Sequence, residues 1–181
     1  MQNTLLQYEK VISRCREIFE NKTKDYGTSW RVMRPKSITD QLYIKAQRIQ
    51  NIENSGKKLI DEDVDVEFVG IINYALIGLI LLEMAQEKRS DLSEQEALAL
   101  YDKKVAEVKS LMMAKNHDYG EAWRSMRISS FTDLILMKIL RIKQIEDNNG
   151  KTLISEGIEA GYADIINYAV FALIKLAETE D

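Results

Sequence analysis

Cysteine, histidine and proline are almost missing from this chain of 181 residues, which holds Cys15, His117 and Pro35 and no other residue of those three types. A single cysteine cannot form an internal disulfide, and a single histidine with it cannot build a Cys/His zinc cluster. Mechanisms that need a Cys–His or Ser–His pair are excluded unless His117 alone serves them. The lack of disulfides suits a reducing compartment, and residues 1–21 carry scattered charges with no apolar core of a signal peptide, so a cytoplasmic location is expected. One proline and eight glycines give too little punctuation for an all-β fold and suit long helices. A basic excess is missing too: 25 Lys and Arg face 29 Asp and Glu, for a formal charge of −4. Duplex nucleic acid, which is gripped through its phosphates, is therefore not an expected partner.

Long uninterrupted apolar runs are also scarce. The most apolar, residues 68–85 (FVGIINYALIGLILLEMA), approaches the roughly 18–20 residues of a membrane span. Asp63, Asp65 and Glu67 crowd its start, Glu83 interrupts its end, and Asn73 lies inside it. A near copy, DIINYAVFALIKLAE, carries Asp164, Asn167 and Lys175 within the same pattern. Each central charge costs about 2.5–3.5 kcal/mol on insertion scales, so both segments read as buried core helices and no membrane partner is expected.

What the chain has in quantity is repetition. Residues 8–53 align without gaps on 101–146, and 56–82 align on 150–176 after a one-residue insertion. Three blocks carry the match: KxxDYGxxWRxMR (22–34 and 115–127), TDxxxxKxxRIxxIE (39–53 and 132–146) and IINYA (71–75 and 165–169). The expected organisation is a first repeat over 1–85, a linker over 86–93 and a second repeat over 94–181, packed as one folding unit. A unit of this size alone buries too little surface to be comfortably stable.

Periodicity predicts three main helices per repeat. The first runs over roughly 3–23 and 94–116, with Ser93 and Glu96 forming a capping box in the second copy. The second begins near Ser37 or Ser130 and breaks at NSGK or NNGK, where Gly56 and Gly150 supply the left-handed geometry of a helix end. The third is the apolar segment. An all-α, internally duplicated helical bundle with pseudo-twofold symmetry follows.

Three constellations carry chemical promise. Glu156, Asp164 and Asn167 share one sector of the third helix of the second copy, with Glu159 on its flank. Such carboxylates hold Mg²⁺ in many bundles, and Asp164, set among apolar residues, needs a metal or the cations Lys138 and Arg141 to offset its burial. The same residues also read as a satisfied polar core pair behind a solvated helix start. Lys138 and Arg141, three apart like Lys45 and Arg48, would clamp phosphate oxygens or join a salt-bridge network. Asp118, Tyr119, Trp123 and Arg124 bring a carboxylate, two aromatic faces and a guanidinium to one connection, where they would stack a nucleobase or cap the core.

On the strength of KNHDYGEAW (115–123), Lys138 and Arg141 in MKILR, and DIINYA (164–169), the second copy resembles the family called nucleotide modification associated domain 1. That family looks like a branch of the all-α nucleoside triphosphate pyrophosphatases, which include MazG-like and dimeric dUTPase enzymes. The resemblance implies Mg²⁺ held by Glu156, Glu159 and Asp164, phosphate bound by Lys138 or Arg141, and metal-activated water releasing pyrophosphate from a nucleotide. The partner it implies is a nucleotide or nucleotide-like small molecule, and its dimeric members allow a homodimer. The first copy has Gly70 where the second has Asp164, although Glu62 and Asp65 match Glu156 and Glu159. At most one good metal site is expected. The alternative is a non-catalytic nucleotide-binding or scaffold module that kept the fold without the chemistry.

Overall fold

The computed structural model describes residues 2–180; residues 1 and 181, the outer ends of the two repeats, lie outside the described residues. Six helices account for most of the chain: α1 (Gln2–Tyr26), α2 (Pro35–Ser55), α3 (Val64–Glu83), α4 (Glu94–Tyr119), α5 (Ile128–Asp147) and α6 (Ile158–Glu180). Short 3-10 turns at Ser29–Val32 and Ala122–Ser125 follow α1 and α4, and no strand occurs among the described residues. The fold is the expected all-α duplication, three helices to a copy.

Local chemistry explains the boundaries. The α4 start is the capping box, with Glu96 N–H donating to Ser93 Oγ at 3.1 Å and Ser93 N–H to Glu96 Oε2 at 2.8 Å. α1 and α4 run three residues beyond the expected ends, so the Asp-Tyr of each DYG signature forms the last helical turn. Gly27 and Gly120, at φ +66° and +58°, then turn the chain out of the helix. α2 and α5 start two residues before Ser37 and Ser130. In α2 this is because Pro35, with its fixed φ and no N–H to leave unpaired, takes the first helical position.

α3 and α6 pack against each other at the centre, with α2 and α5 on one side and α1 and α4 on the other. Being contacted from several sides, α3 is apolar around most of its circumference, with Phe68, Ile72, Leu76 and Ile80 fully buried. Both α3 and α6 are long and apolar enough to cross a membrane, and 67% of each apolar window is buried inside the bundle. α2 and α5 lie antiparallel, as the cross-copy pairs Asp40–Lys143 (3.0 Å) and Gln50–Asp133 (3.2 Å) require.

The repeated blocks knit the copies together. Tyr8 in α1 donates its hydroxyl to Asn167 Oδ1 at 2.9 Å, and Tyr101 in α4 donates to Asn73 Oδ1 at 2.9 Å. Each asparagine spends its amide N–H on the first helix of its own copy, Asn73 on the Cys15 carbonyl and Asn167 on that of Val108. The ends of the TDxxxxKxxRIxxIE block meet across α2 and α5: Thr39 Oγ1 donates to Glu146 at 2.7 Å and Thr132 Oγ1 to Glu53 at 2.8 Å. The segment joining the copies is pinned to the first DYG connection, since Arg31 donates to the carbonyls of Glu87 and Arg89 and Leu92 N–H donates to Thr28 Oγ1.

Candidate functional site

The lysine and arginine of the second block and the acidic start of the third helix face each other in both copies, but with the acid in different places. In the second copy Asp164, only 6% exposed, accepts from Lys115 at 2.6 Å and from Lys138 at 2.7 Å, one lysine on each carboxylate oxygen. Burial alone would raise the Asp164 pKa, yet the two ammonium groups outweigh it and hold the carboxyl below its ordinary range. In the first copy the acid sits one helical turn earlier. Glu67 accepts from Arg48 at 2.8 Å and, more weakly, from Lys45 at 3.4 Å.

Glycine fills the position that each copy leaves without an acid. Gly161 stands where the first copy has Glu67, and a Cβ there would come within 2.9 Å of the Ile142 side chain. Gly70 stands where the second copy has Asp164, and a Cβ there would meet the Lys45 side chain at 2.9–3.2 Å. The sequence EFVG (67–70) against GYAD (161–164) is thus a reciprocal exchange of acid and glycine.

The residues expected to form a metal centre are not brought together. Glu156 and Glu159 are exposed, Asp164 is buried between its lysines, and among the described residues no three Asp, Glu, His or Cys side chains are placed to hold one cation. Two ammonium groups occupy both oxygens that a dication would need, so the residues present do not fit Mg²⁺ at this point. Lys138 belongs to the Asp164 cluster, whereas Arg141 is exposed beside a shallow hollow of about 150 Å³ that Glu156 also lines.

The aromatic connection is divided between core and surface. Trp123 stacks on Phe171 with ring centroids 4.3 Å apart and planes 7° from parallel. Arg124 lies over that indole at 4.4 Å and donates to Thr4, Gln7 and Glu178, tying α1 to α6. Asp118 and Tyr119 are exposed on the last turn of α4. Asn167 is spent on Tyr8 and Val108, as described.

A cavity of about 430 Å³ opens instead in the first copy, between α1, the 3-10 turn, α2 and α3. Its wall combines Arg14, Lys22 and Lys45 with Phe19, Trp30 and Tyr74, and contains no carboxylate. Arg14 is paired with Asp65 at 2.8 Å, Lys45 leans on Glu67 and over the Tyr74 ring at 5.7 Å, and Lys22 has no ion-pair partner among the described residues. The Trp30 indole N–H is buried and also unpartnered. The signal for this cavity was a pair of subtractions, Gly70 for Asp164 and Ile77 for Phe171.

Residues 22–82 and 115–176 each match the family described as nucleotide modification associated domain 1. The chain belongs to this family. Both matched regions begin at the signature lysine, Lys22 or Lys115, and end within the apolar third helix, so the family's unit comprises the lysine cluster, the DYG turn and the two inner helices of each copy. No curated protein and no solved structure matches the chain.

Proposed function

We propose that this protein binds a nucleotide or nucleotide-like phosphate ester in the first-copy cavity and holds it without metal-assisted hydrolysis. The observation that carries this reading is the wall of the cavity: three cationic side chains and four aromatic rings, those of Phe19, Tyr26, Trp30 and Tyr74, with no carboxylate among them. Cations offer charge-assisted hydrogen bonds to phosphate oxygens, and aromatic faces accept a planar base. A volume of about 430 Å³ lies within the roughly 300–1,000 Å³ of small-molecule sites. The family's description, which associates it with nucleotide modification, supports a nucleotide over other aromatic anions. The pairing of Asp164 with two lysines supports retention of the fold without hydrolytic chemistry, since removing a proton or gathering a dication there would first require breaking that cluster.

The test is calorimetry of the full chain against nucleoside mono- and triphosphates, in EDTA and again in Mg²⁺, with released phosphate and pyrophosphate assayed in parallel. Binding that persists in EDTA and leaves the nucleotide intact is the expected result. If no nucleotide binds, the reading falls. If pyrophosphate appears with Mg²⁺ and disappears in Asp164→Ala, the protein is a hydrolase and the non-catalytic assignment is wrong.

A further inference from the structure

We infer that the two copies are open and plugged versions of one anion seat. In the second copy the Asp164 carboxylate fills the seat from within; in the first, Gly70 supplies no carboxylate, the flexible Lys45 side chain leans over its bare backbone, and the anionic group of a ligand lodges between Lys22 and Lys45. This deepens the reading of the first-copy cavity as a binding site and rests on it for the place, though not for the nucleotide. Lys115 and Lys138 meet one carboxylate at 2.6 and 2.7 Å, which demonstrates that this pair of helix positions can converge on a single anion. Their counterparts Lys22 and Lys45 both line the first-copy cavity, and the backbone between them bears Gly70 in place of the acid. No protein carboxylate lines that space.

The apolar part of the seat is plugged by the same logic. Phe171 stacks on Trp123 in the second copy, while its counterpart Ile77 lines the cavity beside Trp30 in the first. Removing a flat ring and a carboxylate from one copy leaves a space shaped for a flat body carrying an anion. The ligand class is therefore a small carboxylate or phosphate borne on a planar aromatic or apolar group. Arg14 adds a third cation at the mouth; its second-copy counterpart is Glu107, so the plugged copy has also lost charge complementarity to an external anion.

The experiment uses the full chain in EDTA, with phenyl phosphate, benzoate and inorganic phosphate as probes, read by calorimetry. One site per chain is expected for an aromatic anion, and comparison of phenyl phosphate with benzoate decides between phosphate and carboxylate. Gly70→Asp, which plugs the seat once its Cβ has displaced the flexible end of Lys45, weakens binding at least about tenfold. Ile77→Phe does the same from the apolar side. The double variant Asp164→Gly/Phe171→Ile gains a second, weaker site. A readout without ligand accompanies these: the Lys22 amine acetylates readily in the wild type and more slowly in Gly70→Asp. Circular dichroism and a thermal melt establish that each variant is folded. Folded Gly70→Asp that binds as wild type, a double variant still at one site, or a wild type that binds none of the probes overturns the inference. If phenyl phosphate binds but nucleotides do not, the nucleotide reading fails and the seat stands; if nucleotides bind and Gly70→Asp is indifferent, the seat fails and the nucleotide reading stands.

Discussion

Tyr101 donates its hydroxyl to Asn73 across the boundary between copies, and Tyr8 repeats the bond to Asn167 with the copies exchanged, each at 2.9 Å. Both tyrosines are fully buried, and burial raises the pKa of each phenol, so both remain neutral donors at any ordinary pH. Asparagine in the middle of an apolar helix is otherwise a poor choice, because a buried amide without partners is costly. Here all its bonds go to first helices, one of each copy.

Tyr101→Phe is the direct test of that tie. It preserves the ring and strands Asn73 Oδ1 in the core, so it should lower unfolding free energy by about 1–3 kcal/mol. Urea denaturation with an unchanged slope checks the figure. A loss near zero would mean that water or a shifted side chain satisfies Asn73, and the tie would lose its importance.

The Asp164 cluster predicts a pH dependence of one sign. Its carboxyl titrates below the ordinary value of 3.8 in the folded chain, so its pairing stabilises fully above that value and is lost as pH falls through the depressed one. Asp164→Asn should therefore be less stable than wild type at pH 7, and the two should begin to converge only below pH 3.8, as pH falls toward the depressed folded value. The loss should fall short of the ~3–5 kcal/mol of a fully buried pair, because Lys115 is nearly half exposed and its charge remains solvated. Thermal melts across pH 2–8 decide it; parallel curves down to pH 2 would remove Asp164 as the source.

The Glu146–Thr39 contact predicts the opposite sign. Desolvation raises the Glu146 pKa more than the Thr39 hydrogen bond lowers it, and Glu53, paired with Thr132, behaves likewise. A folded value above the unfolded one gives stability that is present below the unfolded pKa and lost as pH rises through the folded value. Glu146→Gln keeps an oxygen for the Thr39 hydroxyl and removes the buried charge, so it should be slightly more stable than wild type at pH 7, by under about 1 kcal/mol. That advantage should vanish near pH 4. Destabilisation at neutral pH would show that the charged hydrogen bond outweighs desolvation.

The fold was legible because several signals converge: periodicity marks three helices in each copy, glycines end α2 and α4, and the Ser93–Glu96 box starts α4. The pairing partners were not. Thr39 and Glu53 open and close one block, yet each bonds to the opposite block in the other copy, an arrangement fixed by the antiparallel packing of α2 and α5. Nothing in the spacing of Asp164, Glu156 and Glu159 reveals that Lys115, 49 positions earlier, would reach the first of them. Trp123 and Arg124 have the composition of a base-stacking site, but Phe171 and Thr4 claim them from distant helices. Candidate ligands were read from residues present, whereas the cavity was made by two side chains that the first copy does without.

Separating the copies tests whether they form one folding unit. α3 is packed by α6 and α4 as well as by its own α1 and α2, and α6 is packed by α3 and α1 from the other copy. A free half would expose the central apolar face and leave its asparagine without a tyrosine donor, Asn73 without Tyr101 or Asn167 without Tyr8. Neither gap is small against the total stability of about 5–15 kcal/mol expected of a domain. Residues 1–89 and 90–181 produced separately should therefore be aggregated or largely unfolded by circular dichroism and gel filtration. Coexpressed, they should assemble into a helical heterodimer, because the cut at 89 falls between helices and severs no helical hydrogen bond. A half that is monomeric and melts cooperatively on its own would show that one copy has a sufficient core, and the crossed Tyr–Asn bonds would then be ornaments on two independent folds.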